Sequence, residues 1–384
     1  MKKTRRRLFR FTLTLLISLL LVEGFLRLAY PRLPQGIQIA LRFVRLTPFS
    51  DQRLAPLPLW QSDRHYQMIA MPDVRDSRQA GSINAQFTVN TYRWWIGRVG
   101  FRSPQPENGR VEALALGDSH TFCYVDDADC YVTRLSALLG VSIANFGQTA
   151  TGSVSHERLY TDFVANLPIG QPALVIWQFY GNDFNDDYGL ALLNGTNKTA
   201  PPPETIRERS PFTAWLVENS ALAALIDFFQ SAADYALFVD PYGVSVHGQT
   251  MLFGRPYLRA SFDLTEPRNQ EGEELTYAAV RAVRGRVEGN GGRFVMILMP
   301  TKEEVYRSLT APILGAETFQ TLETPRLRMA DFCQREGIAY LDLSDVLGAA
   351  AARGELVFFP DDIHLNPLGN RLVAEAIAAW VRDR

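Results

Sequence analysis

The chain has 384 residues, 47% hydrophobic and 21% charged, an ordinary globular composition rather than a disordered or fibrous one. Seven of its 39 cations but one of its 41 anions fall in residues 1–30, so the rest of the chain is mildly acidic. With no basic run beyond the N-terminus, nucleic acid is not an expected partner.

Residues 1–30 read as a basic head followed by an apolar run from Phe11 to Val22. That run reaches spanning length if Gly24–Tyr30 is included, with Glu23 and Arg27 one helical turn apart and able to pair. No small-residue cleavage site follows, so the sequence predicts an uncleaved transmembrane anchor, head in the cytoplasm and body outside. A signal peptide cut at an unmarked site is the alternative, and both readings export the body. Residues 31–110 form an N-terminal extension of short strand-like pieces, richest in β-formers at Gln86–Trp95.

From 111 the pattern changes. Strand-like runs at Val111–Leu116, Val141–Asn145, Ala173–Phe179, Arg293–Met299 and Ala339–Leu341 alternate with helical patterns, the last at Pro367–Val381. Alternating strands and helices predict an α/β domain over 111–384 with a parallel sheet covered on both faces. Residues 185–272 interrupt the alternation with Pro201-Pro202-Pro203 and an apolar helical region at Phe212–Phe238. This is an insertion: a lid, a membrane-facing element, or a plain helix on the sheet edge. The three cysteines make no disulfide framework and no zinc spacing. Cys123 and Cys130 permit a bond across a short loop without requiring one.

Ligands bind at the carboxyl ends of strands in such sheets. Those ends carry Gly117-Asp118-Ser119, the loop from Asn145 to Gly152, and Gly181-Asn182-Asp183; Asp361-Asp362-Ile363-His364 precedes the last helix. An ester hydrolase needs a serine near a base, a carboxylate orienting that base, and donors facing the developing oxyanion. Asp361 is expected to fold back onto Nδ1 of His364, leaving Nε2 for Ser119. Asn366-Pro367 fits a helix start. Asp118 reads as a turn cap rather than a catalytic group. Asp126, Asp127 and Asp129 read as a solvated loop, Trp94-Trp95 as core, and His120 as a surface or hydrogen-bonded histidine rather than a ligand, with the shaping of an acyl pocket beside the nucleophile as the alternative. No Gly-x-Ser-x-Gly occurs, which sets aside the α/β-hydrolase elbow.

These blocks, in this order, resemble those of the SGNH (GDSL-like) hydrolase family over roughly residues 85–384. The resemblance implies a three-layer flavodoxin-like fold, with Ser119 as nucleophile, His364 as base, Asp361 as orienter and Asn182 as an oxyanion donor. The family's oxyanion glycine falls at Ala150, so either Ala150 or Gly152 completes the hole; alanine is strained there if the turn needs positive φ. The expected activity is hydrolysis of an acyl ester of a carbohydrate or lipid, such as an O-acetyl group of envelope polysaccharide, without cofactor or metal. Acyl transfer to a polysaccharide hydroxyl and glycan binding without turnover are the alternatives. The sequence leaves the oligomeric state open.

Overall fold

The computed structural model describes residues 2–41, 44–48, 52–54, 59–82, 84–95, 97–106, 110–165, 171–201, 210–238, 242–246, 248–254 and 256–383. Five strands build the central sheet: β1 (Ala113–Leu116), β2 (Ile143–Asn145), β3 (Leu174–Phe179), β4 (Arg293–Leu298) and β5 (Ala339–Asp342). Their order is β5-β4-β3-β1-β2, and every neighbouring pair is parallel. The expected strands are therefore all present, some shorter by a residue or two.

The helices used below are α1 (Lys2–Ala29), α2 (Ser119–Phe122), α3 (Tyr131–Leu139), α4 (Ser153–Phe163), α5 (Asp183–Asn194), α6 (Pro211–Asn219), α7 (Ala221–Phe238), α8 (Pro267–Gly289), α9 (Arg307–Glu336) and α10 (Pro367–Arg382). Both faces of the sheet are covered, which is why its strands are continuously apolar rather than alternating. Ala113 and Ala115 face a core with Leu135 of α3 and Val373 and Ile377 of α10. Leu114 and Leu116 face the opposite core, with Leu159 of α4 and Val283 of α8. The strand period of two thus divides one run between two layers.

The chain divides into two compact units elsewhere than the expected 31–110 and 185–272 boundaries. One unit is residues 60–202 with 241–384; the other is residues 1–59 with 203–240. The first contains the sheet and three antiparallel strand pairs from the extension: Trp60–Asp63 with Gln67–Ala70, Ser77–Ala80 with Gln86–Val89, and Tyr92–Arg93 with Gly100–Phe101. The extension from residue 60 onward is thus integral to the α/β body, since a two-stranded pair needs a surface to cover before it is stable. Trp94 is buried there, donating Nε1–H to the Ser103 carbonyl, while Trp95 is exposed. In the second unit, Leu26 and Tyr30 of α1 pack with Ala221 and Ala224 of α7 and with Leu41 and Val44.

Candidate active site

The sheet order reverses beside β1, whose successor β2 lies on one side and β3 on the other. Three strand-end loops meet at that reversal, the usual ligand crevice of an open α/β sheet. After β1 the chain turns directly into α2. Asp118 caps this turn by accepting the His120 N–H at 2.9 Å, as expected, and Ser119 opens the helix.

Ser119 Oγ lies 2.8 Å from Nε2 of His364. The carboxylate at Nδ1 of His364 is Asp362, at 2.5 Å, and not the expected Asp361. The local backbone explains the correction. Asp362 forms a two-residue turn in which the His364 N–H donates to its Oδ1 at 3.0 Å, and the same oxygen meets the ring. Phe359 N–H donates to the His364 carbonyl, so the loop is tightly closed and residue 361 points away. Asp361 instead accepts from Ser82 Oγ at 2.7 Å and from the Asn84 N–H at 3.3 Å. It ties the histidine loop to the extension.

Three further residues shape this loop, and none was singled out from sequence. Lys302 is buried and donates to the carbonyls of Phe359 and Pro360, both at 2.7 Å, and Asp362, at 3.2 Å. Its placement follows from a capping box between Thr301 and Glu304, a T-x-x-E signal visible in the sequence. Tyr124 stacks on the His364 ring, centroids 3.9 Å apart, and its hydroxyl bonds Thr149. Gly81 closes the other side: a Cβ there would sit 2.6 Å from the Tyr124 ring and 2.8 Å from Asp362 Oδ2.

Arg102, also from the extension, is buried and donates to the carbonyls of Phe122, Cys123 and Val125 and to Asp127. It fixes the segment leaving α2, which the Cys123–Cys130 disulfide also closes. The acidic loop is ion-paired rather than merely solvated: Asp127 meets Arg102, Asp129 meets Arg134, and Asp126 accepts the Thr88 N–H.

The loop after β2 is held by Gln148, whose amide bonds the Ala70 N–H and the Gly100 carbonyl. Ala150 lies in the left-handed region, φ 50°, and is exposed. Gly152 has extended backbone and starts α4; a Cβ there would lie 2.4 Å from Asp187 Oδ1. After β3, Asn182 stands at the N-cap position of α5 without a side-chain capping bond and donates its side-chain amide to the Asp186 carboxylate at 2.9 Å. Ser119, His364, Asn182 and the 150–152 loop therefore all lie at the carboxyl edge of the sheet, while Asp361 stands one residue off the relay.

The electrostatics are those of buried groups. Burial pushes Asp118 up to about 6 and Asp187 up to about 7, and holds Asp183 well above the usual carboxylate range. Burial, with His364 adding to it, holds His120 well below the ordinary histidine range, so it is neutral. Its ring packs 4.5 Å from Tyr180 and 5.0 Å from His364, between centroids. The described residues contain no cluster able to hold a metal ion.

A family model described as the SGNH hydrolase-like domain of the acetyltransferase AlgX matches residues 257–384, which include the histidine loop. The similarity to an SGNH hydrolase-like domain covers those residues, about a third of the chain. Among solved structures, the chain is similar to a member of the lipolytic G-D-S-L family from Veillonella parvula, at 12% identity and TM-score 0.40 over 71% of this chain and 100% of that one. It is also similar to a catalytic mutant of an acetylxylan esterase from Geobacillus stearothermophilus, at 11% identity and TM-score 0.37 over 70% and 92%. No curated protein matches the sequence.

Proposed function

We propose that the SGNH body is a serine esterase acting on an acyl ester outside the cytoplasm. The observation that carries this is the unbroken relay Ser119–His364–Asp362. Ser119 Oγ attacks the acyl carbon while His364 Nε2 takes its proton, and Asp362 holds the imidazole with Nδ1–H inward. The backbone N–H of Ser119, the second amide hydrogen of Asn182 and a backbone N–H from Ala150 or Gly152 receive the oxyanion. His364 returns the proton to the departing alcohol. Water, deprotonated by the same imidazole, then releases the acid and restores the Ser119 hydroxyl.

The apolar helix α1 is the membrane anchor in this reading, and its basic head places the body on the far side. The Cys123–Cys130 bond suits an oxidising compartment. The substrate class is an exported or envelope ester, an O-acetyl polysaccharide above all.

A second reading sends the acyl group from Ser119 to a sugar hydroxyl in place of water. The description of the matched family model as an acetyltransferase favours it. Incubation of the full chain with p-nitrophenyl acetate, with and without an acceptor oligosaccharide, separates the two. Acetate release lost in Ser119→Ala supports hydrolysis; acetylated acceptor formed at the expense of acetate supports transfer. Failure of a fluorophosphonate to label Ser119 removes both.

A further inference from the structure

The unit formed by residues 1–59 and 203–240 contains two apolar elements, not one. Helix α1 is long and apolar enough to cross a bilayer over Phe9–Arg32. Helices α6 and α7, from the insertion, together have the same apolar character but are bent by 115° at Ser220. Phe212 and Trp215 of α6 are 69% and 53% exposed, and Phe229 of α7 is 57% exposed. Such large aromatic side chains, gathered on two consecutive helices, are not how a water-facing surface is built.

The only charged residues of α1 beyond its basic head, Glu23 and Arg27, are used to hold this bend. Glu23 accepts from Ser220 Oγ and from the backbone N–H groups of Ala221 and Leu222, each at 2.9 Å. It thereby satisfies first donors of α7, which the bend at Ser220 takes out of line with the carbonyls of α6. Arg27 pairs with Glu23 at 2.6 Å and donates to the carbonyls of Asn219, Arg45 and Leu46. The Glu23 carboxylate, the Arg27 guanidinium and the Ser220 hydroxyl are thus all paired inside the unit, as a hydrocarbon-adjacent site favours, while Asn219 Oδ1 is buried without a partner. On α1 itself, Phe25 and Leu28 beside this lock are exposed, so the apolar surface continues past it. Next to Asn219 in the chain, Glu218 pairs with Arg45 and Arg53, a cluster suited to a headgroup region.

We propose that α6 and the start of α7 form a second membrane element, a bent hairpin sunk into the leaflet at the C-terminal end of α1. The nine residues of α6 extend about 14 Å, short of the roughly 30 Å hydrocarbon core, so the hairpin wedges rather than spans. Aromatic residues at a membrane interface serve such elements. The occupant of this face is lipid, because the hairpin is locked to α1 at a level where α1 is itself apolar and exposed. The inference rests on α1 being a membrane anchor.

The test uses the full chain in phosphatidylcholine–phosphatidylglycerol vesicles. Cys123 and Cys130 are bonded and Cys333 is buried, so one introduced surface thiol takes an environment-sensitive NBD label. The variants are Phe212→Cys, Phe229→Cys, Leu16→Cys in α1 and Asp331→Cys on the body. The expected result is blue-shifted emission at 212 and 229, quenched by nitroxide-bearing lipid and protected from aqueous iodide, as at 16 and unlike 331. Lipid quenching at 16 with iodide quenching at 212 and 229 overturns the hairpin and leaves the anchor standing. Iodide quenching at all four positions overturns both. Labels at 212 and 229 shielded from iodide and lipid alike overturn the lipid assignment in favour of a protein on this face.

Discussion

Asp362 Oδ1 stands 2.5 Å from Nδ1 of His364, and this one contact decides which of two adjacent carboxylates orients the base. Asp362→Asn should therefore lower kcat for p-nitrophenyl acetate by roughly 10³–10⁴-fold, because an amide favours the wrong imidazole tautomer. Asp361→Asn, which loosens a tether to Ser82 and Asn84, should cost less than about 10-fold, since the relay keeps its carboxylate. Equal losses, or the reverse order, would return the role to Asp361.

Lys302 supplies three hydrogen bonds to the backbone of the histidine loop from a buried position. In Lys302→Met the stem is replaced in kind but three carbonyls lose their donor. The cost is about 2–4 kcal/mol by the usual penalty for stranded buried groups. Urea unfolding should show that loss, and Lys302→Arg should restore part of it. A wild-type midpoint for the methionine variant refutes the loop-holding role.

Ala150 adopts φ 50° where a glycine costs nothing. Relief of the left-handed strain, about 1–2 kcal/mol, is partly offset by the greater freedom of glycine in the unfolded chain. Ala150→Gly should stabilise the body by roughly 0.5–1 kcal/mol, read by chemical denaturation. It should leave fluorophosphonate labelling of Ser119 intact, because the backbone N–H is retained. Destabilisation would mean that the turn is not left-handed.

Asp187 accepts from the Val154 N–H at 2.8 Å and from Thr276 Oγ1 at 2.5 Å, and burial raises it to about 7. An unfolded aspartate titrates near 3.9. The folded state thus favours the protonated form; its contribution is complete below about 4 and is lost as pH rises through about 7. The thermal midpoint should fall between pH 4 and 8. Asp187→Asn stays neutral, still accepts from Val154, and can donate to the Thr276 hydroxyl. Its profile should be flatter, and an unchanged slope would remove Asp187 as a source.

The parallel sheet, its five strands and the terminal helix could be read directly from the sequence, because strands buried on both faces are written as uninterrupted apolar runs. Ser119 and His364 were legible for a related reason: each stands at a fixed offset from such an element, one at a strand end and one before the Asn366-Pro367 cap. What the sequence could not rank was Asp361 against Asp362. Both are carboxylates within reach of the ring, and only the closure of Phe359 onto His364 turns one inward. Nor could it assign Arg102, Gly81 or Ser82, which lie in or beside strand pairs with weak local signatures, or Tyr124, which follows α2, since they meet His364 and the Ser119 turn only after folding. The same holds for Glu23 and Arg27. In the sequence they are an i,i+4 pair inside an apolar run; in the fold they are partners of Ser220 and Asn219, nearly two hundred residues away. Local periodicity determines elements and their ends, whereas the pairing of charges across the chain is settled by tertiary burial, where an unpartnered charge is too costly to keep.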